Sequence, residues 1–207
     1  MNAPEAPKQA IAAAKPEKTP SPYAAMNEQI AKFVGEYRKE SDRACVILCA
    51  AKIDYLCGQI LAKFLLPNAS GQDDLLDTDR ALGTFSARIH ASYRLGLIDA
   101  EFARALHLFR RLRNSFAHEV SDSTFDHGPH RDRIQELVRP LSTHASYGDF
   151  KNKIGKDKSG PAADFYAIAA IIIVRLERLL HDLKPLSGVS AVAMLPPGWK
   201  IESPQKA

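Results

Sequence analysis

The stretch SDRACVILCAAKIDYLCGQILAKFLL, residues 41–66, decides the fold class. Its apolar residues recur every three or four positions, which is the period of one face of an α-helix. The residues on this face are Val46, Cys49, Ile53, Leu56, Ile60 and Phe64. Lys52, Gln59 and Lys63 share the opposite face, and Pro67, which cannot continue a helix, follows. The stretch therefore predicts one long amphipathic helix.

The same period dominates the rest of the chain, and no segment alternates between apolar and polar residues as a strand does. We therefore predict an all-α protein, a single-domain helical bundle of about six helices over residues 23–184. Besides residues 41–66, the predicted helices lie near residues 26–37, 84–96, 100–118, 131–139 and 162–184. The basic segment 147–161 is expected to be a mobile loop.

Polar residues mark the predicted helix ends. Ser41, Thr84 and Asp99 are the expected N-terminal caps, and Gly96 is expected in the left-handed conformation that ends the third helix. The last helix is apolar nearly all round through Val174, which predicts a position at the centre of the bundle.

Both ends of the chain differ in composition from this domain. Residues 1–22 are rich in proline and alanine and contain no aromatic residue, so they are expected to form a disordered arm. Residues 185–207 carry further prolines around Trp199 and are expected to form a C-terminal tail.

Composition narrows the class of protein only in part. A net charge of +4 permits contact with nucleic acid but is far from the dense basic stripe of a dedicated binder. The cysteines Cys45, Cys49 and Cys57 fall in one helix, as core residues of a protein in a reducing compartment would. FYAIAAIIIV, residues 165–174, is taken as the most apolar window and is too short to span a membrane. We expect a cytoplasmic protein without a cofactor or a metal.

The stretch RRLRNSFAHEV, residues 110–120, raises the question of a site. On a helical wheel Asn114 and His118 join a polar stripe, whereas Arg113 falls among the apolar residues. A buried guanidinium needs a partner. A structural interpretation pairs Arg113 with Asp42 or Glu40 and lets His118 complement the negative end of its own helix.

A catalytic interpretation rests on a resemblance. RNSFAH, residues 113–118, resembles the Arg-polar-x3-His signature of the HEPN superfamily of helical ribonucleases and nucleotide-binding domains. The resemblance implies a metal-independent endoribonuclease with RNA as its substrate. His118 would act on the ribose 2′-hydroxyl or the leaving group, Arg113 would stabilise the phosphorane charge, and Asn114 would orient the backbone.

A second resemblance covers more of the chain. Residues 40–61, 75–99 and 106–118 together resemble the mannitol operon repressor family in their order and spacing. This resemblance implies an all-helical transcriptional regulator that lacks a recognisable helix-turn-helix. Such a protein is expected to act through contacts with another regulatory protein, with direct DNA binding weak. The same resemblance draws attention to ESDR, residues 40–43, and TFSARI, residues 84–89. The preferred interpretation of both is structural, with Ser41 and Thr84 as caps and with Phe85 and Ile89 packed inward. The alternative is a functional polar cluster of Asp42, Arg43 and Arg88 around the fourth helix.

Two further segments carry weaker signals for a binding site, and the last helix bears on the oligomeric state. Asp126, His127 and His130 form a possible metal trio, but an exposed turn is the preferred interpretation because no further ligand is placed by the sequence. The lysines of 151–158 are interpreted as a solvated loop. We predict a homodimer, because the last helix needs apolar cover on many sides.

Overall fold

The computed structural model describes residues 21–68, 73–119 and 123–188, and this part of the chain contains seven α-helices and no strand. In chain order they are α1 (Ala24–Tyr37), α2 (Asp42–Phe64), α3 (Phe85–Arg94), α4 (Ala100–His118), α5 (Gly128–Val138), α6 (Ala145–Ile154) and α7 (Gly160–Asp182). The all-α prediction is confirmed, with one helix more than expected. Most residues of the two predicted arms lie outside the described residues.

The predicted helix ends are confirmed at α2, α3 and α4. In each case the side-chain oxygen of the cap accepts a hydrogen bond from the backbone amide three residues later, which satisfies one free donor of the first turn. These pairs are Ser41 with Ala44 at 3.3 Å, Thr84 with Ala87 at 3.2 Å, and Asp99 with Phe102 at 2.7 Å. Gly96 has a φ of 71°, the left-handed conformation predicted for it.

The centre of the bundle is formed by α2 and α7. α7 packs against α1, α2, α5 and α6, while α2 packs against α1, α3, α4 and α7. Ten residues of α7, from Ala163 to Leu176, are buried, as its all-round apolar character predicts. The expectation that α7 needs a second chain for cover is wrong, because α5 and α6 of the same chain lie against it.

The prediction of a mobile basic loop over residues 147–161 is wrong for the first half of this segment. α6 runs from Ala145 to Ile154 and packs against α7. Tyr147 is buried, and Phe150 and Ile154 pack against the core, so the segment has an apolar face at helical spacing. The lysines and Gly148 between these apolar residues make the segment resemble a loop in composition.

The start of α5 and the location of the most apolar helix also differ from the predictions. α5 begins at Gly128 rather than near residue 131, because Pro129 suits the first turn of a helix, where its missing N–H costs nothing. α2, and not residues 165–174, is long and apolar enough to cross a membrane by length and composition. Half of its apolar window is buried inside the bundle, which is typical of the core helix of a globular domain.

Candidate functional site

Arg113 lies half-buried near the C-terminal end of α4. Its Nη1 donates a hydrogen bond to Asn114 Oδ1 at 3.0 Å. The predicted pairing with Asp42 or Glu40 is wrong: Asp42 Oδ2 instead accepts from the amide of Phe125 at 2.9 Å. No ion pair formed among the described residues includes Arg113. The first turn of α2 faces the segment that follows α4, and the Asp42 carboxylate therefore binds a backbone amide of that segment instead of Arg113.

His118 is exposed in the last turn of α4, at the negative end of the helix dipole. The structure therefore brings Arg113 and Asn114 into contact and leaves His118 one turn further on at the helix end. The catalytic roles of these three residues stay a prediction.

A cluster of polar side chains lies just beyond them, where α4 ends and α5 begins, and we call it the Glu119 cluster. It consists of Ser115, Glu119, Ser123, His127 and His130. Glu119 Oε1 accepts from Ser115 Oγ at 3.1 Å and lies 3.0 Å from His130 Nε2. Glu119 Oε2 accepts from Ser123 Oγ at 2.6 Å. One carboxylate therefore joins residues on both sides of the α4–α5 connection.

His130 is the buried member of the Glu119 cluster, with no exposed surface. Its ring stacks on Phe116 with centroids 4.0 Å apart. Nδ1 lies 3.0 Å from the Thr124 carbonyl oxygen, and Nε2 lies 3.1 Å from Ser115 Oγ. The preferred sequence interpretation of an exposed turn is therefore wrong for His130, which belongs to α5 and to the core.

Two guanidinium groups border the Glu119 cluster. Arg43 Nη2 donates to the Glu119 carbonyl oxygen and, at 3.3 Å, to Ser123 Oγ. Arg133 Nη1 donates to Ser115 Oγ at 3.2 Å. The hydrogen bond from Ser123 is the main cause that holds the pKa of Glu119 below its ordinary value, and Ser115 and the two histidines act in the same direction. Glu119 is therefore a carboxylate at neutral pH.

The polar cluster predicted from Asp42, Arg43 and Arg88 is divided between two places. Asp42 and Arg43 contact the segment 119–125. Arg88 extends from α3 to α2, where its Nη1 lies 2.9 Å from Asp54 Oδ1 and its guanidinium lies against Gly58. Gly58 is fifteen residues along α2 from Arg43, a distance of about 22 Å at 1.5 Å per residue.

Sequence inspection missed Glu119 and the partnership of Ser115 with it. A Ser at i and a Glu at i+4 at the end of a helix was the available signal, since side chains at this spacing are neighbours. Their link to His130 depends on how α5 folds back against α4, which the sequence alone does not give.

A chain of the X-ray structure of the MtlR–HPr complex from Escherichia coli is similar in fold to this protein. The similarity covers 72% of this chain and 98% of that chain, with a TM-score of 0.55 and 16% sequence identity. No protein-family model matches the sequence, and no curated protein matches it. This likeness is one of fold, and it agrees with the all-helical architecture that the resemblance to the mannitol operon repressor family implied. The HEPN resemblance rests on its motif alone.

Proposed function

We propose that this protein is a regulator that acts through protein contacts rather than by reading DNA bases. The fold likeness to a chain of the MtlR–HPr complex, itself a complex between two proteins, supports this class. Three free, buried cysteines support a reducing compartment such as the cytoplasm.

The exposed face of α2 is the observation that carries the proposal. Side chains at intervals of three or four residues line it, with Ile47 at its margin. These residues are Leu48, Ala51, Tyr55, Gln59 and Ala62. None of the exposed residues of α2, a helix described along its whole length, is charged. An uncharged exposed face that includes large apolar side chains such as Leu48 and Tyr55 favours a site of protein interaction.

A second copy of the chain is the occupant that this surface fits. Across a two-fold axis every residue of a contact meets the same surface again, so a charge near the axis would meet its own copy. The uncharged face of α2 avoids this repulsion. Tyr55 lies midway between Leu48 and Ala62, so an antiparallel pair of α2 helices would place the two Tyr55 side chains near the axis. Ala51 and Ala62 would allow close approach of the two helices.

Light scattering of the purified full chain tests this proposal. We expect the mass of two chains at tens of micromolar, and the mass of one chain after Tyr55→Glu. Tyr93→Glu, at a tyrosine that is 45% exposed on α3, is the matched control and should remain a dimer. A wild-type mass of one chain, or equal masses for the two variants, would contradict the proposal.

We propose RNA cleavage as the second candidate function, because of the surroundings of the Arg113 guanidinium. A half-buried guanidinium whose described contacts include no carboxylate is available to a phosphate. Incubation of RNA with the wild-type protein in a chelator, beside His118→Ala, tests this candidate. Cleavage by the wild type alone supports a metal-independent endoribonuclease that uses Arg113, Asn114 and His118, and equal traces from both proteins would exclude it.

A further inference from the structure

We propose that Glu119, His127 and His130 form a binding site for a divalent transition-metal ion such as Zn²⁺. This inference is independent of the proposed function, which does not use these residues. One carboxylate oxygen and one ring nitrogen from each histidine all lie within 4.8 Å of one another. The fold thus supplies Glu119 as the ligand that the sequence did not place beside His127 and His130.

The hydrogen bonds of His130 carry the argument. The Thr124 carbonyl oxygen, 3.0 Å from Nδ1, can only accept a hydrogen bond, so Nδ1 is the donor of this contact. Nε2, the ring nitrogen left to bind a ligand, lies 3.0 Å from Oε1 of the Glu119 carboxylate. Both atoms are of types that ligate metals, and a small cation placed between them would be held by both.

This arrangement is the one that metal-ligating histidines adopt. Such a histidine donates its second ring N–H to a carbonyl or a carboxylate, which fixes the tautomer and orients the metal-binding nitrogen. In His130 the Thr124 carbonyl has this role, and stacking on Phe116 fixes the plane of the ring. His130 is therefore preorganised as the inner ligand.

The distances fit one small ion. Ligand atoms about 2.0–2.2 Å from a zinc ion at a tetrahedral angle lie roughly 3.3–3.6 Å apart, close to the 3.0 Å between Glu119 Oε1 and His130 Nε2. The His127 ring must approach by about 1 Å from the widest separation that the cluster allows. Its side chain is exposed and takes no part in capping α5, so a change of rotamer is open to it.

The ligand set decides the class of metal. Two imidazoles and one carboxylate favour zinc and its first-row neighbours over Mg²⁺ or Ca²⁺, which prefer oxygen ligands. The guanidinium groups of Arg43 and Arg133 oppose a cation and limit its affinity. Three protein ligands leave a fourth position to water.

Calorimetric titration of the metal-free full chain with Zn²⁺ tests the site. We expect saturable binding of one ion per chain at micromolar Zn²⁺, weakened at least tenfold by His127→Ala and by Glu119→Gln. His144→Ala, at an exposed histidine that caps α6, is the matched control and should bind as the wild type does.

The visible absorption of bound Co²⁺ supplies a second measurement. It should appear in the wild type and in His144→Ala and be lost in His127→Ala. Because His127 is exposed, its removal leaves the core intact, and far-ultraviolet circular dichroism checks this. Absence of saturable Zn²⁺ binding by the wild type, or binding that His127→Ala leaves unchanged, would overturn the proposal and assign the space between His130 and Glu119 to a proton.

Discussion

Replacement of Arg88 by alanine should be among the most costly changes to a charged residue of this protein. The guanidinium pairs with Asp54 at 2.9 Å and also donates to the carbonyl oxygens of Leu82 at 3.0 Å and Leu76 at 3.3 Å. It thereby ties the segment before α3 to the middle of α2. Its loss removes all three contacts and leaves the Asp54 carboxylate half-buried without its partner.

The expected loss of stability follows from the exposure of the pair. Breaking a buried pair by removing one partner costs roughly 3–5 kcal/mol. The side chains of Arg88 and Asp54 are 18% and 25% exposed, so water can solvate the Asp54 carboxylate in part after Arg88 is removed. We therefore expect the free energy of unfolding to fall by about 2–4 kcal/mol. For a domain of this size each kcal/mol lowers the melting temperature by about 2–4 °C, which gives a fall of about 5–15 °C.

Thermal melts followed by circular dichroism measure this fall against two further variants. Arg94→Ala, in the exposed last turn of the same helix, is the control and should cost less than about 1 kcal/mol. Arg88→Lys should be intermediate, because one ammonium group keeps the charge beside Asp54 but not the planar set of donors. If Arg88→Ala melts no lower than Arg94→Ala, the reasoning is refuted.

Three further outcomes are expected. Arg113→Ala should lower the free energy of unfolding by only about 1 kcal/mol, the contribution of its hydrogen bond to Asn114. His118→Ala should lower it by no more than about 1–2 kcal/mol. A loss of roughly 3 kcal/mol or more in thermal melts of Arg113→Ala would instead indicate a carboxylate partner. The three buried cysteines should resist an aromatic disulfide reagent until denaturant is added, since burial raises the pKa of Cys57 to about 12; rapid labelling of the native protein would disprove this. Fluorescence titration with DNA at ~0.15 M salt should give dissociation constants near 10⁻⁴–10⁻⁶ M without sequence preference, and nanomolar selective binding would exclude a regulator that acts through protein contacts alone.

The fold was predictable because its determinants are local. The period of α2 and α7 and the caps Ser41, Thr84 and Asp99 act within one helix, so the sequence displays them directly. α6 escaped prediction because lysines and Gly148 lie between Tyr147, Phe150 and Ile154. This apolar face stabilises a helix only because it packs against α7, a tertiary contact that the sequence does not display.

The candidate site was less predictable because its parts are joined by tertiary contacts. Arg113 was correctly placed on α4, yet its partner could not be chosen from the sequence, and Asp42 turned out to hold the Phe125 amide. His130 was noticed for its chemistry, but its burial and its contact with Glu119 depend on the return of α5 against α4.

The most direct test of the proposed protein contact is a crosslink at the middle of α2. The natural thiols are buried, so Tyr55→Cys gives one exposed thiol on the proposed contact surface. Treatment of this variant with a short bismaleimide should convert it to a covalent dimer on a denaturing gel, whereas Tyr93→Cys should stay a monomer. Equal crosslinking of the two variants, or none of Tyr55→Cys, would contradict the account.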